Sequence, residues 1–227
     1  MRLSENDNTR IAAAVAEAER KTSGEVLCVI ADKVSDYREV ALAWAAIVAL
    51  SAPPIALWLG LRPLELAARF GQWTAGHAAA DDAQAALVLF GYALVQVVLF
   101  VLVGLIVSIP AVKRLLTPSW LKVRRVRRAA LGHFAATGLD GSPERTGVVI
   151  FAALFEHRVE VVADSLINEK CGANPWDQAV AALVSGVKAG DPASGFVRAV
   201  EICGEVLSKH FPDDGGPNRA PDRPVQV

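Results

Sequence analysis

Residues 83–112 read AQAALVLFGYALVQVVLFVLVGLIVSIPAV, and residues 113–128 read KRLLTPSWLKVRRVRR. The first run has no charge of either sign. The second carries Lys113, Arg114, Lys122, Arg124, Arg125, Arg127 and Arg128, and no acid occurs from Ala83 through Leu139. A long uncharged run followed at once by bases is the pattern of a membrane-spanning helix ending at an anionic, cytoplasmic surface. A span is therefore expected at about 85–110. Gln84, just before it, and Gln96 are its amides, and it has no Asp, Glu, Lys, Arg or His to mark an ion or proton path, so a transporter is a weak reading.

Upstream, Val40 to Leu61 gives 22 residues without a charge. As a helix this run is about 33 Å long, the thickness of a bilayer core. Pro53-Pro54 should kink it, and Trp44 and Trp58 lie toward its ends as an aromatic belt requires. The alternative is a buried core helix. Between the two runs, Arg62 and Arg69 are outweighed by Glu65, Asp81 and Asp82. Two spans return the chain to its starting side, and the bases after the second place both termini in the cytoplasm, with 62–82 outside. Residues 39–111 thus read as a transmembrane helical hairpin, with spans about 40–61 and 85–110.

The chain has 227 residues, is 53% hydrophobic and carries a formal net charge of −1. The apolar excess falls mainly between Val40 and Val112, acids crowd the two ends and bases the middle. Cys28, Cys171 and Cys203 are far apart, odd in number and lack a C-x-x-C spacing, which argues against a disulfide framework and a thiolate zinc site. The polar start, Met1 to Asp7, shows no secretory signal.

The remaining sequence reads as alternating helices and strands. Ser4 and Asp7 can cap a helix over about 5–21, with Ile11, Ala14, Val15 and Ala18 on one face. Thr22-Ser23-Gly24 breaks it, and Glu25 to Ala31 is a short apolar strand closed by Asp32. After the hairpin, Leu116, Trp120, Val123, Val126 and Ala130 recur at spacings of three and four, giving a basic amphipathic helix over about 118–136. It fits a surface helix bound to anionic lipid, with each base contributing about 1 kcal/mol. It equally fits a domain helix whose bases only set the topology; nucleic acid is a poorer partner beside a membrane. Gly147 to Leu154 is a buried-type strand, Glu156-His157 a tight connection, and Arg158 to Ala163 an alternating strand. Asp164-Ser165 can cap a helix from Leu166. Helices follow over 176–189 and 196–210, and the Pro-, Gly- and Asp-rich residues 212–227 read as a disordered tail. One strand precedes the hairpin and two follow it, so a sheet requires one discontinuous domain, 1–36 plus 117–211.

Thr22-Ser23-Gly24-Glu25-Val26, Arg145-Thr146-Gly147-Val148-Val149-Ile150-Phe151 and Arg158-Val159-Glu160-Val161-Val162-Ala163-Asp164 together resemble the TPM domain family. Trp176, Gly190-Asp191, Gly195 and His210-Phe211-Pro212 extend the resemblance, and Pro217 to Asp222 looks like a worn Asn-Glu-Leu-Pro-Asp terminal motif. It covers both soluble pieces but not the hairpin. The family includes thylakoid-lumen proteins linked to photosystem repair and many bacterial membrane proteins. The resemblance implies an α/β fold, a small mixed sheet sandwiched by helices, here interrupted by the transmembrane hairpin. It also implies a bacterial inner-membrane location, with an acid phosphatase activity proposed for some members, sometimes with a divalent cation, and an assembly or repair role for others.

Given parallel first and second strands and an antiparallel third, Asp164 gathers at one sheet end with Asp140, Arg145 and Thr146. Asp32 gathers at the other with Glu156, His157 and Arg158. The first cluster offers Asp164 and Asp140 as metal ligands for Ca or Mg, and Arg145 for a phosphate. The bland reading makes Asp140 a turn residue, Asp164 a helix cap and Arg145 their ion-pair partner. There is no Gly-rich phosphate loop, no Gly-x-Ser-x-Gly and no zinc-like spacing among His77, His133, His157 and His210. The favoured expectation is non-enzymatic: a membrane-anchored domain that binds or maintains another membrane protein, with anionic lipid at Lys113–Arg128. The alternative is a divalent-metal-dependent phosphatase using Asp164, Asp140 and Arg145.

Overall fold

The computed structural model describes residues 3–60, 79–138, 146–171, 175–213 and 221–227. The elements in order are α1 (Glu5–Glu19), β1 (Glu25–Ala31), α2 (Arg38–Trp58), α3 (Ala79–Ser108), α4 (Pro110–Leu116), α5 (Ser119–Ala136), β2 (Gly147–Ala153), β3 (Arg158–Ala163), α6 (Ser165–Cys171), α7 (Asp177–Lys188), α8 (Pro192–His210) and β4 (Val225–Gln226). They fall into two compact units: Met1–Asp36 with Ser119–Val227, and Tyr37–Pro118.

The first unit is a mixed α/β fold built on a four-stranded sheet of order β3-β2-β1-β4. β1 and β2 pair parallel from Glu25↔Gly147 to Ala31↔Ala153, while β2 and β3 pair antiparallel. β2 and all of β1 beyond Glu25 are buried. Such continuous apolar strands form where both sheet faces are covered. Alternation sorts their side chains. Val26, Cys28, Ile30, Val148, Ile150 and Ala152 face a core completed by Ile11 and Val15 of α1, Leu183 of α7, and Phe196, Val200 and Leu207 of α8. Leu27, Val29, Ala31, Val149, Phe151 and Ala153 face Val126, Ala130 and Phe134 of α5. Ile11, Leu27, Ile150, Phe151, Phe196 and Leu207 are essentially inaccessible to water, and each such burial is worth about 1.5–3 kcal/mol.

Local chemistry sets the helix boundaries. Ser4 and Asp7 form a reciprocal capping box at α1, with Ser4 N–H and Asp7 Oδ2 at 3.0 Å and Asp7 N–H and Ser4 Oγ at 3.1 Å. α8 begins at Pro192, a turn before the expected Phe196, because the Asp191 carboxylate accepts from Ser194 N–H at 3.0 Å and Pro192 suits the first helical turn. The Ser194 hydroxyl and amide hold the Asp191 carboxyl below its usual value. Helix crossings are just as specific. A Cβ on Gly186 of α7 would lie 2.5 Å from Gly195 Cα of α8, and one on Gly204 would lie 2.8 Å from Ala18 Cβ of α1.

The expected disorder of 212–227 is corrected at the chain's end. Val225–Gln226 adds a parallel strand to β1 through Val29↔Val225 and Ile30↔Gln226. Val227 N–H donates to Ile30 O and Asp32 N–H to Val227 O, both at 2.9 Å. The free edge of β1 offers backbone groups that a Pro- and Gly-rich composition does not reveal.

The second unit pairs α2 with α3. Ala41, Ala45, Ala49 and Pro53 are buried along one stripe of α2 at spacings of four, and small residues at that spacing let helices approach closely. On α3, Gly104 is placed so that an added Cβ would lie 3.8 Å from Ala45 Cβ. The indole N–H of Trp44 donates to Leu116 O at 3.2 Å. α2 runs on through Pro53 and Pro54. Arg38–Trp58 and Leu89–Ser108 are both long and apolar enough to cross a membrane.

Replacing Gly186 by Ala forces α7 and α8 apart and should destabilise the first unit by about 1–3 kcal/mol. Gly132 lies in α5 with open space around it: an added Cβ would meet nothing within 4 Å. Gly132→Ala should therefore be neutral or stabilising by up to about 1 kcal/mol. Thermal unfolding of the full chain in detergent, followed by circular dichroism, distinguishes the two.

Candidate functional site

Each end of the β1–β2 pair gathers polar residues. At the end where these strands begin, Asp164 N–H donates to Gly147 O at 3.0 Å and the Thr146 hydroxyl donates to Ser23 O at 2.9 Å. Asp164 is buried. Its Oδ1 accepts from the Ser165 hydroxyl at 3.0 Å and from Leu166 N–H at 3.2 Å, and its carbonyl accepts from Asn168 N–H at 3.2 Å. These are the bonds of a helix cap, and they orient the carboxylate toward the first turn of α6. Asp140 and Arg145, expected beside it, lie outside the described residues. Among the described residues no group of three or more His, Cys, Asp or Glu side chains is arranged to hold a metal ion.

The opposite end is the carboxyl end of the parallel pair, the edge at which open α/β sheets usually bind ligands. Here Leu154 N–H donates to Ala31 O at 2.9 Å and Phe155 N–H to Asp32 O at 3.0 Å. The tight connection turns at His157, whose φ of 52° lies in the left-handed region, and His157 is exposed. Glu156 is only 3% exposed. Its Oε1 accepts from Val34 N–H at 3.1 Å, and its Oε2 has no hydrogen-bond partner among the described residues. A buried carboxylate oxygen without a partner is costly, so Glu156 is the most unusual polar group at this end. Beside it, Arg125 of α5 donates to the Ser35 hydroxyl, and Lys33 pairs with Asp36. The loop after β1 is thus tied both to the turn after β2 and to α5. Sequence reasoning placed Asp32, Glu156, His157 and Arg158 together at this end. The burial of Glu156 went unseen because a charged residue in a turn carries no periodic signal.

The thiols are not poised for chemistry. Cys28 and Cys203 are buried and free. Burial pushes the Cys203 thiol up to about 12 and raises that of Cys28 further, and it raises partly exposed Cys171 as well. All three are therefore protonated near neutrality, and thiolates rather than thiols attack electrophiles and bind metals.

The second unit carries no comparable polar cluster among its described residues, but it presents a broad apolar exterior. Trp58 is 85% exposed and Phe90 68%, and Leu50, Val97, Val101 and Leu105 are exposed with them. Soluble surfaces rarely leave so much contiguous apolar area uncovered.

The chain matches no family model and no curated protein. It is similar in fold to a solved structure. That structure, determined by NMR, is the BA42 protein of the psychrophilic bacterium Bizionia argentinensis. The two are 15% identical, the match spans 100% of this chain and 97% of that one, and the TM-score is 0.55. The likeness concerns the fold.

Removing the Asp164 cap should cost about 1 kcal/mol. Asp164→Ala is expected to speed amide hydrogen exchange in Ser165–Cys171 while leaving β1 and β2 protected. At neutral pH a disulfide thiol reagent should modify Cys171 before Cys28 or Cys203, and these two only after unfolding; prompt labelling of either in the folded protein would contradict their burial.

Proposed function

We propose that the chain is an integral inner-membrane protein whose TPM-like α/β unit is held at the cytoplasmic face by a helical hairpin, and that it binds or maintains another membrane protein. One topological fact carries the membrane part of the reading. The second unit is inserted between β1 and β2, and these strands are hydrogen-bonded neighbours. A segment that leaves and re-enters one folded unit can cross a bilayer only an even number of times. The two helices of sufficient length and apolarity, Arg38–Trp58 and Leu89–Ser108, meet that requirement together. Their outward apolar side chains suit lipid, where water would impose a large cost. The bases from Lys113 to Arg128 favour a cytoplasmic first unit.

The scaffolding role rests on the chemistry at hand. Asp164, the described member of the acid cluster, is engaged as a helix cap, and the thiols are protonated. The span Leu89–Ser108 offers Gln96 and no Asp, Glu, Lys, Arg or His, which does not suit transport. The resemblance to the TPM family adds the precedent of assembly and repair roles.

The test is topology together with activity. A reporter active only in the cytoplasm, fused after Val227, should be active, and a periplasmic reporter placed within residues 62–78 should be active as well. The opposite pattern would overturn the orientation, and release of the protein by alkaline carbonate would overturn membrane integration. Purified protein should lack divalent-dependent phosphatase activity; activity lost in Asp164→Ala would replace the scaffolding role with the enzymatic one.

A further inference from the structure

We infer that the outer face of α5 is a docking surface for anionic phospholipid headgroups, which lays the cytoplasmic unit against the bilayer; the inference rests on the membrane reading above. The face is defined by what α5 does not bury. Val126, Ala130 and Phe134 fill the core beneath the sheet. Turned away from that core are Trp120, Arg124, Arg127, Arg128 and Leu131, all exposed. Their spacings, 120-124-128 and 127-131, place them on one side of the helix.

The composition of this face fits a headgroup layer. Trp120 is 63% exposed and Leu131, about three turns further along, 45%, and exposed apolar side chains at either end of a row of arginines suit the lipid–water boundary. α5 contains no Asp or Glu. Arg127 is shared with Glu160 at 3.1 Å across to β3, and Arg125 is turned to Ser35, so Arg124 and Arg128 are the principal outward charges. A soluble polyanion would match the arginines but leave Trp120 and Leu131 unexplained. Only the short stretch from Ile109 to Pro118 connects the end of α3 to α5. A lipid-inserted α3 therefore keeps the start of α5 close to the same membrane.

The full chain, carrying Trp120 as its only tryptophan with Trp44, Trp58, Trp73 and Trp176 replaced by Phe, is reconstituted in phosphatidylcholine vesicles with or without phosphatidylglycerol. Quenching of Trp120 by brominated lipid should be about threefold greater with phosphatidylglycerol. The double variant Arg124→Gln/Arg128→Gln should abolish that difference, and Arg124→Lys/Arg128→Lys should retain it. Equal quenching in the two lipids would overturn the inference, as would a glutamine variant that behaves like the parent or a Trp120 shielded from lipid but quenched by an added soluble polyanion. Flotation of the vesicles after a carbonate wash reports the hairpin separately: protein that floats without charge-dependent quenching refutes the α5 face alone, whereas protein that fails to float refutes the membrane reading itself.

Discussion

The parallel pairing of β1 with β2 is the constraint on which the rest of the structure depends. It joins residues 25–31 to 147–153 in continuous register, across everything that lies between them in sequence. Closing a loop of that length in a flexible chain costs about 4 kcal/mol by the logarithmic law. The side chains buried along the two strands, among them Leu27, Ile30, Ile150 and Phe151, are worth about 1.5–3 kcal/mol each. Burial of these strands between helices on both faces offsets that closure cost. Parallel neighbours always need a long crossover. In this protein the crossover carries a whole second unit, and α5 at its end covers one face of the sheet.

That arrangement constrains topology. The ends of the apolar unit are covalently joined to strands that lie side by side, so any membrane crossing between them would need an even number of spans. The same logic shapes the two ends of the sheet. Where β1 and β2 begin, Asp164 caps α6. Where they end, the Glu156 carboxylate takes the Val34 amide and fastens the loop that leads away from β1. The polar groups described at both ends thus serve, first of all, to fix the chain where it enters and leaves the sheet.

Much of the local structure was legible in the residues. The limits of β1 and β3, the capping box at α1, the basic helix after Pro118 and the two apolar helices follow from periodicity, charge and cap chemistry, which act within a few residues. The start of α8 was missed by a turn because the Asp191–Ser194 cap was not weighed. β4 was missed because Val225–Gln226 is too short to show a pattern and is ordered by the edge of a distant strand. The candidate site was less legible. Asp164 was recognised both as a cap and as a potential ligand, and its bonds to Ser165 and Leu166 show the cap. The burial of Glu156 depends on a loop more than a hundred positions earlier in the chain.

The sequence alone determined where apolar surface must be buried, on strands short and continuous enough for a covered sheet and on helices long enough for a bilayer. It also placed the bases that follow the second apolar helix. Tertiary structure decided which strands became neighbours, which glycines had to lack a side chain, and which carboxylates were drawn out of water. Hydrophobic pattern is a property of each segment, whereas strand pairing, helix approach and the partner of a buried charge arise only when distant segments occupy the same space.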